Sequence, residues 1–140
     1  MKKLLNLSMI YFIFAMIGGV FYREFTKYTG FTGRTTLAFV HVHLLVLGTL
    51  LFIILTLFCR NTDLQNNRKF KLFLVLYNIG LPLMVSMLFI RGIIQVLEFQ
   101  LSKGANAAVS GIAGIAHIII TVALVVLLLA LKSIIIKWEN

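Results

Sequence analysis

Residues Leu37 to Phe58 read LAFVHVHLLVLGTLLFIILTLF. The run is long enough and apolar enough to cross a bilayer as one helix, yet it carries His41 and His43 inside it. An imidazole in hydrocarbon needs a partner, so the pair marks a site as well as a span. Three further apolar stretches flank it, over about 4–22, 72–99 and 109–136. Each reaches the roughly 18 residues that mark a spanning helix, and the lone proline argues against the turn punctuation of a barrel. The reading is an all-α fold: one integral membrane four-helix bundle covering 1–140. With 61% hydrophobic and 12% charged residues, the composition lies outside that of soluble domains.

The net charge of +9 does not imply a nucleic acid partner, because the basic residues form no single patch. They cluster at the ends of the spans. Lys2, Lys3, Arg60, Arg68, Lys69, Lys71, Lys132 and Lys137 fall on the side of both termini and the middle loop. Arg23, Lys27, Arg34 and Lys103 fall on the other. The bias toward the first side places the N- and C-termini in the cytoplasm. The start, MKKLLNLSMIYFIFAMIGGVFY, imitates a secretory signal but lacks a small-x-small cleavage site, and it reads as a retained anchor. Cys59, alone, reads as a reduced thiol at the membrane interface.

The polar residues inside the spans carry the chemistry. Residues two apart on a helix point roughly 200° apart, so His41 and His43 face different neighbours. Ala38, Leu45 and Gly48 share the His41 side and leave room for a flat ligand, whereas Phe39, Leu47 and Leu50 on the His43 side read as packing. The third stretch, with an expected kink at Pro82, carries Arg91, Gln95 and Glu98 on one face. Arg91 and Glu98 either neutralise each other, or Arg91 binds a carboxylate of a ligand. On the fourth stretch His117 looks across the small residues Ser110 and Ala113. At ~1.5 Å per residue, His41 is roughly 6 Å deep, His43 roughly 9 Å, and His117 and Arg91 roughly 12 Å each, all in the outer half. One buried site at that level is expected.

Two neutral imidazoles from two helices suit the axial positions of a haem iron, with a cation answering the propionates. The expected set is therefore a b-type haem on His117 and His41, with His43 as the alternative ligand and Arg91 beside the porphyrin. Copper fits less well, since no Cys or Met cluster accompanies the histidines. The segment His41-Val42-His43-Leu44-Leu45-Val46-Leu47-Gly48 resembles the His-x-His entry into a span in the haem- and copper-containing membrane proteins of the nitric-oxide response. It is also similar, more loosely, to the haem-ligand helix of the haem-copper oxidase catalytic subunit. By layout the whole chain resembles small four-span bacterial membrane proteins. The resemblance implies haem ligation by His41 or His43, with His117 on a later helix, in a bacterial cytoplasmic membrane. The chain departs from the larger proteins in having too few histidines for a haem-copper centre, so it implies no oxygen or nitric oxide reduction by a single copy. Glycine-rich faces on the first and fourth helices predict a homodimer. Filled axial positions favour electron transfer; one open position favours gas sensing or haem handling. Two other classes stand beside this one: a solute or proton transporter using the Arg91, Gln95 and Glu98 stripe, and a structural subunit of a membrane complex. No catalytic triad, phosphate loop or dinucleotide fingerprint is present, so no specific enzymatic reaction is implied.

Overall fold

The computed structural model describes residues 1–139, with side chains through residue 136; the side chain of Lys137, counted above, lies outside the described residues. Four helices account for nearly all of it: α1 (Lys2–Thr29), α2 (Leu37–Asn61), α3 (Arg68–Val96) and α4 (Lys103–Glu139). A 3-10 turn, Leu64–Asn66, joins α2 to α3, and no strand occurs among the described residues. All four helices are long and apolar enough to cross a membrane. Only 28% to 33% of each apolar window is buried within the chain, so most aliphatic side chains point outward, as lipid-solvated helices require.

The helices overrun the apolar stretches at several ends. α1 continues past the expected end at residue 22 through Arg23, Glu24 and Lys27, which are helix formers as well as charges. It stops at Gly30, whose φ of +66° suits the cap. The Gly30 and Phe31 N–H groups donate to the Lys27 and Thr26 carbonyls, the six-to-one closure of a Schellman turn. The connection from α1 to α2 is therefore only residues 30–36. α3 begins at Arg68, where the Asn67 side chain accepts from the Lys69 and Phe70 N–H groups. Asn67 also donates to Ser133 Oγ at 2.9 Å, so the middle loop and the end of α4 share one end of the bundle.

α3 runs unbroken through Pro82 and ends at Val96, short of Glu98. Glu98 lies beyond the helix with φ of +51°, in the left-handed position that glycine usually fills. Its N–H donates to the Gln95 carbonyl, and that of Phe99 to the Ile94 carbonyl. An L side chain in this region costs about 1–2 kcal/mol. Glu98→Gly is expected to raise the unfolding free energy by about 1 kcal/mol, read from melting in detergent.

Packing follows a chain of neighbours. α1 lies along α2, while α2 and α4 both lie on α3 rather than on each other. Along α4 the buried positions are Ala116, Ile120, Ala123, Leu127, Ala130 and Ile134, a four-three alternation of small and large residues. That spacing is a heptad seam, and its alanines let α3 approach closely. The aliphatic C-terminal half of α4 is therefore a packing surface. In the middle of the bundle Phe52 lies between Tyr11 and Tyr77, with ring centroids 5.7 and 5.9 Å away.

α2 contains a seven-residue π-helix, Leu44–Leu50, which begins directly after His43. The wider turn displaces backbone carbonyls, and two of them meet side chains from other helices. The Leu47 carbonyl accepts from Tyr77 Oη at 2.9 Å, and the Thr49 carbonyl from Ser8 Oγ at 3.0 Å. Gly48 makes room for Tyr11: a Cβ there would lie 2.5 Å from the Tyr11 Cβ.

Candidate functional site

Three threonine and glutamine contacts lock the N-terminal end of α2 onto α3. Thr35 Oγ1 donates to the Gly92 carbonyl, Thr36 Oγ1 to the Leu88 carbonyl, and the Thr36 N–H to Gln95 Oε1. Gln95 is thus a structural acceptor at the start of α2. Glu98 lies beyond the end of the helix rather than on its face, yet Arg91, Gln95 and Glu98 still line one cleft, as the sequence reading grouped them.

Arg91 turns instead to α4. Its Nη1 donates to Asn106 Oδ1 at 2.6 Å and its Nη2 to Ser110 Oγ at 2.7 Å. Neither partner is charged. Among the described residues the one ion pair is Arg23 with Glu24, 3.7 Å apart and exposed. Arg91 borders two hollows. Outside it lies a polar cleft of about 560 Å³ that also includes Gln95, Glu98, Gln100 and Lys103. Inside it lies a groove of about 380 Å³ between α2, α3 and α4, lined by Thr36, Met84, Leu88, Ser110 and His117 among others.

The histidines meet different surroundings. His41 faces α1: a Cβ on Gly19 would lie 3.6 Å from the His41 ring, and Nδ1 of His41 is buried without a hydrogen bond. The room expected beside His41 is occupied by α1, because Gly19 abuts the imidazole and Gly48 receives Tyr11. The Nδ1 of His117 lies 2.7 Å from the Ala113 carbonyl, and that of His43 lies 2.8 Å from the Phe39 carbonyl. A carbonyl only accepts, so both rings carry their proton on Nδ1. Each then keeps the Nε2 lone pair, the arrangement of a metal-binding histidine whose other nitrogen is fixed by the backbone.

Helical register relates these two rings. His43 is seven residues from Thr36, which lines the same groove as His117, and two turns bring a helix back to nearly the same direction. On α3, Leu88 meets α2 and Gly80 meets α4, while Met84 sits one turn from each and lines the groove between them. The levels also agree. Leu88 pairs with Thr36 and Tyr77 with Leu47, which sets His43 near Gly80 to Met84; Gly80 lies against Ile119 and Ile120, which sets His117 at the same height. Among the described residues no three His, Cys, Asp or Glu side chains gather as a small-ion site.

Residues 1–134 match the family described as a protein of unknown function, DUF2871. The chain belongs to this family. The match takes in all of α1, α2 and α3, α4 as far as residue 134, and with them Arg91 and the three histidines. No curated protein and no solved structure matches the chain.

The sequence reading missed the π-helix and the mid-membrane hydroxyl contacts of Ser8, Tyr11 and Tyr77. The available signal was Gly48 placed amid β-branched and leucine residues, with a threonine after it. That pattern marks a close approach but not the neighbour that makes it.

Proposed function

We propose that the chain binds a b-type haem in the cleft between α2 and α4, over the Met84 surface of α3, with His43 and His117 as axial ligands. The observation that carries this reading is the pair of imidazoles on two helices, each with Nδ1 committed to a carbonyl four residues back. Register aims both at the same cleft and level. α2 and α4 both lie on α3 rather than on each other, and the groove of about 380 Å³ beside His117 and Arg91 opens along α3 between them. Arg91, held at the outer end without an acidic partner, answers the propionates. When bound, the haem supplies a one-electron couple; filled axial positions favour electron transfer over gas binding. His43 replaces His41 as the preferred ligand because His41 is turned into α1.

The membrane is the cytoplasmic membrane of a bacterium, with both termini inside, as the positive charge at that end supports. A second copy packs against the outer half of α4, where a Cβ added at Gly104 or Gly111, seven residues apart, would meet nothing within 4 Å. The corresponding glycines of α1 do not serve this contact, since Gly18 already abuts Val40.

Titration of the detergent-solubilised chain with haem, followed at the Soret band, tests the reading. It is expected to saturate at one haem per chain, and Arg91→Leu is expected to weaken binding about tenfold, or about 1.4 kcal/mol. A Soret change that never saturates contradicts a defined site.

A further inference from the structure

A second hollow lies on the other flank of α3. Between α1 and α3, floored by Val40 and Leu44 of α2, runs an apolar groove of about 780 Å³. Toward the outer membrane surface Phe21 of α1 and Phe89 of α3 meet with ring centroids 4.9 Å apart. Deeper in, the groove meets a polar rung: Tyr11 Oη donates to Asn78 Oδ1 at 2.9 Å, and both residues line the groove. Asn78 Nδ2 donates to the Leu74 carbonyl, which leaves its second N–H without a partner among the described residues. Pro82, also in the lining, has no N–H to offer the Asn78 carbonyl.

A large apolar hollow with a few convergent polar groups is the form of a ligand site. Depth selects the ligand. Tyr11 lies nine residues beyond Lys2 and Asn78 ten beyond Arg68, about 14 and 15 Å along their helices. That is near the centre of a core about 30 Å thick. A phospholipid headgroup does not reach this level, and a charged head is costly there. The head must be uncharged and able to accept from an amide, and the body must be hydrocarbon. We propose that the groove binds a quinone, its carbonyl accepting from the free Asn78 N–H and its tail lying along the groove. The site stands apart from the imidazole cleft, so a chain that binds no haem leaves this proposal intact.

The test uses the whole chain in quinone-free lipid nanodiscs with a carbonyl-labelled benzoquinone bearing a decyl tail. The expected result is retention near one quinone per chain, with its infrared carbonyl band moved to lower frequency than in protein-free lipid. The shift should vanish in Asn78→Leu. Retention should fall at least about tenfold in Ser86→Trp, which fills the groove from an exposed position and so leaves the fold intact. Val85→Trp, a second lining position, gives the same reading should Asn78→Leu fail to fold. An unshifted carbonyl in the unaltered chain, equal retention by Ser86→Trp, or a phospholipid that the quinone does not displace overturns the proposal.

Discussion

His43→Ala and His117→Ala are each expected to convert a low-spin haem spectrum to high-spin and to weaken haem binding by at least about tenfold. His41→Ala is expected to leave the spectrum low-spin. The contrast follows from the rings' surroundings. His43 and His117 each give Nδ1–H to a backbone carbonyl, which leaves the lone pair on Nε2. His41 sits against Gly19 with Nδ1 unbonded. Burying an N–H without an acceptor is costly, so Nδ1 is the unprotonated nitrogen and the proton sits on Nε2. That is the wrong tautomer for ligation through Nε2. Absorption spectra of the three variants, oxidised and reduced, check the contrast; low-spin haem lost in His41→Ala and kept in His43→Ala would reverse the assignment.

Gly92→Ala is expected to be the most damaging small substitution. An added Cβ would lie 2.5 Å from Leu37 Cγ and 2.6 Å from the Leu37 backbone nitrogen, and backbone cannot turn aside as a flexible side chain can. The same carbonyl that receives Thr35 would be displaced with it. The expected cost is about 3 kcal/mol, at the upper end for overpacking. Gly111→Ala, read on the detergent-dispersed monomer, is the control: nothing in the chain lies within 4 Å of its Cβ, and exchanging an exposed helical glycine for alanine gains up to about 1 kcal/mol. Melting of both variants in the same detergent, followed by circular dichroism, should show opposite shifts.

Much of this architecture is legible in the residues. Four apolar runs separated by polar loops specify four helices, because lipid leaves the backbone no other open-ended way to satisfy itself. The similar depth of His43 and His117 also follows from counting along the runs, whereas Arg91, bonded to Asn106 and Ser110, stands about two turns nearer the helix ends than the count along its own run suggests. What a single run does not reveal is its neighbour. Ala38 and Gly48 beside His41 show that something approaches closely, and only the placement of α1 shows that it is Tyr11 and Gly19 rather than a ligand. Likewise Arg91, Gln95 and Glu98 share a face only if the helix continues, and it ends at Val96. The π-helix after His43 depends on hydroxyls from α1 and α3 that claim its displaced carbonyls, so no local pattern announces it.

The most direct measurement is the absorption spectrum of the chain isolated from a haem-replete bacterial host, oxidised and then reduced with dithionite. A Soret band with sharp reduced α and β bands, at one haem per chain, is the predicted result. A colourless protein from every such preparation would contradict haem binding between α2 and α4.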